Sequence, residues 1–241
     1  MESEKVIAHF PKTRPALPAA QVEIFEQEMI TNREGTSLMT SLAQKLESWM
    51  HVNVAKRTTG RRLLELGAGT LNHLKYLDAS KRDSLDAIEP MTVLYKDSPE
   101  QKQVRTFYND ISECTASYDT IYSIAVLEHI TNLPTVIARA ALLLEEGGQF
   151  INGIPCEGGL LWGLSWRCST GVAYRLRTGF SYKNIMRHEH VNSFDEIVTL
   201  VRHFFDEVDV SYFPLAGKHL AFYACISAKS PKRSVASTYL A

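Results

Sequence analysis

The feature that most constrains the fold is a short apolar run that ends in a glycine-rich turn. Leu63–Leu66 has the length and composition of a buried strand, and Gly67-Ala-Gly69 follows it directly. Glycines at such a point allow a tight turn and let a ligand approach the backbone, and a helix that starts there offers free N–H groups. The pattern therefore predicts a strand, a tight turn and a helix.

Predicted strands and helices alternate after this turn. A helix is predicted over 133–145, and Ser193 with Glu196 forms a capping box for a helix that runs to Phe205. Further strands are predicted at 85–89, 104–108, 120–126, 149–154, 206–213 and 219–228. This order predicts an α/β fold with a mostly parallel sheet and helices on both of its faces.

The pattern also divides the chain. Residues 1–58 predict an N-terminal arm and a helical cover, with two helices over 21–54. The main domain is predicted over residues 59–230, and a flexible tail is predicted over 231–241. An insertion of 35 residues, 156–190, interrupts the domain and is rich in Gly, Trp, Tyr and Arg. A long non-alternating segment of this kind predicts a lid or a substrate-binding element.

Composition disfavours several classes of protein. With 45% hydrophobic residues over 241 positions and a formal net charge of −1, the chain can bury a core and has no global attraction for nucleic acid. The four cysteines (Cys114, Cys156, Cys168 and Cys225) include no C-x-x-C pair, so neither a zinc site nor a disulfide framework is predicted. No signal peptide and no run of about 20 apolar residues is seen. The sequence therefore predicts a cytoplasmic protein without a nucleic-acid partner or a transmembrane segment.

Carboxylates accompany the first three predicted strands. Glu65 lies in the first, Glu89 ends the second, and Asp110 follows the third. Because open α/β sheets bind ligands at the carboxyl ends of their strands, these side chains are expected at one site. Glu89 can accept hydrogen bonds from both hydroxyls of a ribose. Asp110 can accept one from an adenine amino group, or it caps the short helix that follows.

Two nucleotide-binding loops resemble this turn but do not match it. A dinucleotide fingerprint has glycine where Asn72 stands, and the lysine of a phosphate-binding Walker loop is missing. The chain also has no Tyr-x-x-x-Lys pair of the kind found in some oxidoreductases. A nucleotide-binding oxidoreductase on a Rossmann-like fold is therefore kept as an alternative, as is a plain strand–turn–helix.

Four segments in order resemble one family. They are 63–74, Glu89-Pro90, Asn109-Asp110-Ile111 and 118–130, the last of which contains Val-Leu-Glu-His-Ile. As a set they are similar to class I S-adenosylmethionine-dependent methyltransferases of the type 11 or 12 subgroup, over about 60–228. The resemblance implies a Rossmann-like three-layer sandwich with a seven-stranded, mostly parallel sheet and an antiparallel final strand. It also implies S-adenosylmethionine as cofactor and S-adenosylhomocysteine as product.

The resemblance assigns cofactor roles by position. The backbone of the glycine turn would face the methionine part, Glu89 would hold the ribose, and Met91 would lie against the adenine. Asp110 and Ile111 would bracket the adenine edge. The positions that it marks for cofactor binding are Glu65, Gly67, Ala68, Gly69, Glu89, Met91, Asp110, Ile111, Ser123 and Ala125.

A base is needed wherever an oxygen or nitrogen acceptor must lose a proton. The candidates are Glu128 and His129 after the fourth strand, and His188, Glu189 and His190 after the insertion. Each of them also has an explanation as a packing residue. His188 and His190 alternate in a way that could suit a metal ion, but the sequence offers no third ligand, so no metal site is predicted.

The insertion is the predicted acceptor site. Its aromatic rings and arginines suit a sugar or a phosphorylated acceptor, with Trp162, Arg167, Tyr182 and Arg187 as the predicted substrate-binding residues. The run 158–166 is apolar enough to touch a lipid carrier or the inner face of a membrane. The favoured alternative is a lid whose apolar face packs on the sheet. The block loosely resembles methyltransferases found with bacterial surface-sugar genes.

The function expected from the sequence is that of a transferase (EC 2.1.1.-). It would O-methylate a sugar, a glycoconjugate or another small-molecule acceptor, in polysaccharide biosynthesis. N- or C-methylation of a small metabolite, the oxidoreductase and a non-catalytic scaffold are the alternatives. A homodimer is left open. Asn32-Arg33-Glu34 either folds over the cofactor or forms a plain helix–helix turn, which is favoured.

Overall fold

A mixed sheet of seven strands organises the part of the chain that is described. The computed structural model describes residues 2–25 and 41–241, with side chains in the second range from residue 46 onward. The strands are β1 (Arg62–Leu66), β2 (Ser84–Ile88), β3 (Thr106–Tyr108), β4 (Tyr118–Ile124), β5 (Leu144–Pro155), β6 (Phe205–Pro214) and β7 (Ala221–Pro231). Their order across the sheet is β3-β2-β1-β4-β5-β7-β6, and β7 runs antiparallel to both of its neighbours. The predicted topology is confirmed.

Side chains alternate between the two faces of the sheet, as the period of a strand requires. Leu64 and Ile121 belong to the larger apolar cluster on one face, whereas Leu63 and Tyr122 belong to a smaller cluster on the other. All four are nearly or completely buried. The central strands are therefore covered on both faces, which explains why β1 is apolar from Leu63 to Leu66 apart from Glu65.

Helices form the two outer layers. They are α1 (Glu2–Ile7), α2 (Ser41–Arg57), α3 (Leu133–Leu143), α4 (Leu160–Cys168), α5 (Thr170–Thr178), α6 (Tyr182–Glu189), α7 (Phe194–Phe204) and α8 (Arg233–Leu240), and residues 19–25 are also helical. Ile137 of α3, Leu200 of α7 and Ala236 of α8 enter the larger cluster. Val54 of α2 enters the smaller one. The result is the predicted three-layer α/β sandwich.

A glycine lets α2 pack directly on the sheet. A Cβ at Gly153 of β5 would lie 2.9 Å from the Cβ of Met50 and 3.3 Å from Cγ2 of Val54. Both of these α2 side chains are buried. Because the two backbones approach so closely, any larger residue at this position would push the helix away from the sheet.

The segment after the glycine turn differs from the prediction. The sequence predicts an α-helix there, and the structure has turns followed by a short 3-10 helix, Leu74–Tyr76. Leu71 adopts a φ of 64° and its side chain is fully buried. A residue in the left-handed region cannot continue an α-helix, so the packing of Leu71 overrides the local preference.

Both ends of the described chain are more regular than predicted. The arm contains α1, which packs on α7 with Val6 and Ile7 against the larger cluster. The tail, predicted as flexible over 231–241, contains α8, which packs on α3 and buries Ala236 completely. Each helix is short and finds its apolar partner far away along the chain, so its own sequence carries little sign of it.

The insertion is helical and leads into the capped helix that the sequence predicts. It folds as α4, α5 and α6, the last of which ends one residue before His190. The capping box at the start of α7 is present: Ser193 accepts from the Glu196 N–H, and the Glu196 carboxylate accepts from the Ser193 N–H. This box fixes the direction in which the chain leaves the insertion.

Two further predictions concern the turn at 32–34 and membrane-spanning helices. Asn32-Arg33-Glu34 lies outside the described residues. In the described part of the chain, no helix combines the length and the apolar character needed to cross a membrane.

Candidate active site

The glycine turn lies where the sequence places it, between the carboxyl ends of β1 and β2. Gly67 has a φ of 64° and Gly69 a φ of 52°, both in the left-handed region that favours glycine. The N–H groups of Gly67 and Ala68 donate to the carbonyl of Ile88 at 2.8 and 3.2 Å. A Cβ on Gly67 would lie 2.6 Å from a methyl of Val126, just after β4. The turn is therefore fixed to both neighbouring strands.

Glu89 holds this turn from the side. Its two carboxylate oxygens accept from the N–H of Gly69 at 2.8 Å and from the N–H of Met91 at 2.9 Å. The side chain is nearly buried, while Met91 is 39% exposed beside it. Each carboxylate oxygen keeps a lone pair in this arrangement, so the group can still accept hydroxyl donors.

The other predicted cofactor residues surround this turn. Asp110 caps the short helix after β3 by accepting from the Ser112 N–H at 2.8 Å, and the hydrogen bonds from Ser112 lower its pKa. Ile111 beside it is buried. Ser123 is fully buried at the end of β4 and donates to Asn152 at 2.8 Å. Ala125 follows with a φ of 53°, a conformation that is strained for any residue other than glycine.

Glu65 lies beneath the turn in a buried polar network. It accepts from the hydroxyl of Tyr122 at 3.2 Å, and burial raises its pKa to about 8 despite this hydrogen bond. Tyr122 contacts the ring of His73, whose Nδ1 lies 3.0 Å from Nδ1 of His51. Burial lowers the pKa of His51 to about 4 and that of His73 to about 3. At neutral pH the network is therefore uncharged.

A second group of polar side chains lies at the ends of β4 and β5. It consists of Glu128, His129, Glu157 and His190, and we call it the carboxylate–histidine cluster. The rings of His129 and His190 meet edge to face with centroids 4.9 Å apart. Nε2 of His129 lies 3.8 Å from the Glu128 carboxylate. Three separate segments of the chain thus bring acid and base groups into contact.

Glu157 orients His190. The Nδ1–H of His190 donates to Oε2 of Glu157 at 2.9 Å, and the indole N–H of Trp162 donates to the same oxygen at 2.7 Å. Burial disfavours a charge on His190, but its bond to Glu157 and the nearby carboxylates outweigh this and raise its pKa. Burial also acts to raise the pKa of Glu157, yet its contacts with His190 and Trp162 lower it. This is the arrangement of a histidine base held by a carboxylate.

Glu128 is the most deeply buried member of the cluster. Its side chain is 1% exposed, and burial raises its pKa to about 7. Oε2 has no hydrogen-bond partner among the residues that the structure describes. Glu128, His129 and His190 each offer one ligand atom, and these atoms lie within 4.8 Å of one another. The structure thus groups His190 with Glu128 and His129, and His188 is not part of this set.

Asn192 fastens the two segments that carry the histidines. Its buried amide donates to the carbonyls of Leu127 and Ile130 at 2.8 and 2.7 Å. The N–H groups of Val191 and Asn192 donate to the backbone carbonyl of Glu128. The short segment before α7, which the sequence treats as a lead-in, thus places His190 against His129.

The N-terminal arm reinforces the same junction. Arg14 donates to the carbonyls of His188 and His129, both at 2.9 Å, and to the Glu189 carboxylate at 3.1 Å. His188 donates through Nδ1 to the carbonyl of Pro15 at 2.8 Å. His188 and Glu189 therefore contact the arm, and the Glu189 carboxylate also lies 3.6 Å from Nδ1 of His129. Of the predicted bases, the cluster contains Glu128, His129 and His190.

The predicted acceptor residues are spread over the insertion. Trp162 reaches the cluster, with its ring 6.3 Å from that of His190. Arg167 lies over Trp166 at 4.5 Å, and its charge helps to lower the pKa of Glu157. The ring of Tyr182 lies 5.3 Å from that of Tyr174, inside the insertion. Arg187 is exposed on α6.

Three residues of this site escaped prediction. Glu157 follows β5, and the rule that strand ends carry ligand-binding groups could have revealed it. Tyr223 of β7 contacts Trp162 with ring centroids 5.5 Å apart, and it reaches the site because it pairs with Pro155 across the sheet. Arg14 carries no signal in its own sequence, because its partners lie more than 100 positions away.

Comparison with known proteins identifies the family. A family model described as a methyltransferase domain matches residues 39–197, which include the glycine turn, Glu89 and the whole cluster. The chain belongs to this methyltransferase family. No curated protein matches the sequence.

Solved structures with the same fold span nearly the whole chain. The plantazolicin methyltransferase BpumL, in complex with S-adenosylhomocysteine (SAH), has a TM-score of 0.60 at 11% identity and covers 95% of this chain and 100% of its own. The N-methyltransferase NodS from Bradyrhizobium japonicum, also with SAH, has a TM-score of 0.55 at 16% identity, covering 88% and 98%. An O-methyltransferase family protein from Burkholderia thailandensis has a TM-score of 0.57 at 13% identity, covering 95% and 68%.

These findings confirm the coarse expectations. The chain has the Rossmann-like fold of class I S-adenosylmethionine-dependent methyltransferases, and it is a transferase with S-adenosylmethionine (SAM) as its cofactor. The neighbours include N- and O-methyltransferases, so they do not define the acceptor.

Proposed function

We propose that this methyltransferase transfers the methyl group of SAM to an oxygen of a small-molecule acceptor, and that His190 takes the proton of that oxygen. The observation that carries the proposal is the hydrogen bond from Nδ1–H of His190 to Glu157, which leaves Nε2 as the proton acceptor. A base in this form can act on a hydroxyl nucleophile as it attacks.

The glycine turn fits the cofactor. A Cβ at Gly69 would meet no atom within 4 Å, so the backbone there faces open space. Glu89, tied to the Gly69 and Met91 N–H groups, keeps lone pairs for ribose hydroxyls. When bound, SAM supplies a methyl group on a positively charged sulfur. We place Asp110, Ile111, Ser123 and Ala125 around its remaining parts, as the family resemblance implies.

Val126 connects the cluster to this turn in space. Val126 packs against Gly67, and Glu128 and His129 follow it after one residue. In the proposed step the acceptor oxygen forms a bond to the methyl carbon, the carbon–sulfur bond breaks, and the proton moves from oxygen to Nε2 of His190. Glu157 stabilises the imidazolium that results, and Trp162 holds Glu157 in place.

The acceptor is proposed to be a sugar or a glycoconjugate. Trp162 offers an aromatic face at the cluster, and Arg167 places a positive charge near it that suits a phosphate. Leu164 and Leu176 of the insertion are 50% and 83% exposed, which suits a lipid-linked form at the inner face of a membrane. The described residues 2–25 of the arm and residues 156–190 would then cover the acceptor. The localisation, the homodimer and the link to polysaccharide biosynthesis stay predictions.

The first test separates the base from the cofactor site. His190→Gln should lower kcat by roughly 10²–10⁴-fold, because an amide cannot take the proton, while SAH affinity stays within about twofold in calorimetry. His203→Gln is the control, since His203 pairs with Ser3 at the far end of α7. An unchanged kcat for His190→Gln would overturn the assignment of the base.

The second test concerns the acceptor. Labelled SAM with panels of sugar nucleotides, lipid-linked glycans, phenols and amines should give transfer to a hydroxyl of a sugar. Transfer to amines alone would replace O-methylation by N-methylation, which is the stated activity of NodS.

A further inference from the structure

The carboxylate–histidine cluster has the composition of a metal site. Glu128, His129 and His190 each present a ligand atom, and these atoms lie within 4.8 Å of one another. Two imidazoles and one carboxylate are the ligand set of several zinc enzymes, and the same set binds other first-row transition metals.

Hydrogen bonds leave the correct nitrogen free on both rings. Nδ1–H of His129 donates to the carbonyl of Glu189 at 2.9 Å, and Nδ1–H of His190 donates to Glu157 at 2.9 Å. Each ring can therefore keep its lone pair on Nε2. Metal-binding histidines almost always donate their other N–H to a carboxylate or a backbone carbonyl, and this site has one of each.

Glu128 supplies the second, independent observation. Its side chain is 1% exposed, and its Oε2 has no hydrogen-bond partner among the described residues. A buried carboxylate oxygen without a partner is unfavourable, because it has lost its hydrogen bonds to water and gained none in return. A cation beside Oε2 would satisfy it, and both imidazoles have a ligand atom within 4.8 Å of the Glu128 carboxylate.

We infer that Glu128, His129 and His190 bind a divalent transition-metal ion of the Zn²⁺ type. The two nitrogen ligands disfavour Mg²⁺ and Ca²⁺, which prefer sites built from oxygen. Three protein ligands leave a fourth position open to water or an acceptor oxygen. Metal binding does not depend on His190 being the base. The effect of the ion on turnover, however, rests on that proposed function. The ion would occupy the lone pair of His190 that takes the proton, so Zn²⁺ should inhibit the reaction.

The binding test uses untagged full-length protein, freed of metal by a chelator and titrated with Zn²⁺, Co²⁺ and Mg²⁺. We expect one strong equivalent of Zn²⁺ or Co²⁺ and none of Mg²⁺. Glu128→Gln and His190→Asn should remove this equivalent, and Glu157→Gln should weaken it by roughly 10–100-fold because it frees the His190 ring. His203→Asn, with its histidine outside the cluster, should bind like the wild type.

The position of the ion can also be determined in crystals of the wild-type protein, which does not depend on the folding of any variant. Anomalous diffraction from the wild-type protein with Zn²⁺ should place the ion between Glu128, His129 and His190. An ion found elsewhere, or Zn²⁺ binding that Glu128→Gln and His190→Asn leave unchanged, would overturn the site. Visible Co²⁺ absorption that is lost in those variants would support it.

Turnover distinguishes the two proposals. Inhibition by Zn²⁺ with the affinity measured in the titration supports both. Binding in the cluster together with activation supports the metal site and overturns His190 as the base. The absence of strong binding overturns the metal site and leaves the base proposal untouched.

Discussion

The cofactor half and the acceptor half of the active-site edge are built in different ways. In the proposed cofactor half, the glycine turn and its carboxylate lie within one stretch of the chain, from Gly67 to Met91, and the key contacts are backbone N–H groups held by Glu89. Asp110, Ile111, Ser123 and Ala125 join this half from the ends of later strands. The acceptor half assembles Glu128, Glu157 and His190 from segments far apart in the chain, through side-chain contacts.

This contrast follows from what each half has to bind. A cofactor that is the same for a whole family can be held by backbone groups whose geometry depends on a few glycines. An acceptor differs from enzyme to enzyme, so its site uses side chains on loops and on an insertion. Each of the following predictions concerns a substitution in one half, and several of them also measure a property of the other half.

The largest expected effect is in the cofactor half. Glu89→Ala should weaken SAH binding by roughly 100-fold in calorimetry, because two backbone N–H groups lose a charged acceptor at about 1–3 kcal/mol each. The Zn²⁺ equivalent described above should be retained. Glu146→Ala, at an exposed carboxylate outside the site, is the control. Equal losses in the two halves would show that they are not separate units.

The next effect concerns the shape of the glycine turn. Gly67→Ala should destabilise the protein by about 2–3 kcal/mol, since a left-handed φ is unfavourable with a Cβ and Val126 lies in its way. The double variant with Val126→Ala should recover the steric part in urea unfolding and leave the conformational part. If the changes in the free energy of unfolding for Gly67→Ala and Val126→Ala were fully additive, a steric contact between these two positions would be contradicted.

A pH-dependent effect of about 2 kcal/mol is expected from Glu65. Burial raises its pKa from 4.5 to about 8 in the folded protein. The folded state therefore holds the proton more tightly than the unfolded state, and this contribution to stability falls as pH rises from about 4.5 to 8. Between pH 6 and 8 the loss should be about 2 kcal/mol.

Unfolding of Glu65→Gln in urea at several pH values measures this contribution. The variant should lack the decline and be relatively more stable at pH 8. Glu146→Gln, at an exposed carboxylate, should keep the slope of the wild type. A wild-type slope in Glu65→Gln would show that Glu65 is ionised in the folded protein.

The smallest effect tests the arm against the acceptor half. Arg14→Ala should lower kcat by roughly 10-fold, because the backbone segments of His129 and His188 lose their shared donor and the cluster loosens. Arg14→Lys should not restore it, since an ammonium lacks the planar fork that spans two carbonyls. SAH affinity should not change.

Arg61→Ala is the matched control for the arm, because Arg61 forms an exposed ion pair with Asp83 away from the site. Both variants should unfold within about 1 kcal/mol of the wild type. If Arg14→Ala lost as much SAH affinity as kcat, the arm would support the whole domain and not the acceptor half in particular.

Sequence patterns alone were sufficient to predict the sheet and the position of the glycine turn. The seven-stranded, mostly parallel sheet follows from alternation and from the family resemblance, and Gly67, Glu89 and Asp110 lie at strand ends because parallel strands end at one edge. The capping box of α7 was also predictable, since Ser193 and Glu196 are three residues apart. In each case the interaction is local, or the periodicity of the chain repeats it many times.

Tertiary packing was needed to show how the proposed acceptor-site residues contact one another and to form the elements whose partners are remote in sequence. Leu71 enters the core with a left-handed backbone and thereby replaces a predicted helix, and α8 forms because α3 offers it an apolar surface. Likewise, nothing near His190 in sequence indicates Glu157, Trp162 or Arg14. A hydrogen bond between distant segments depends on where the sheet and the insertion bring them, so no local pattern can encode it.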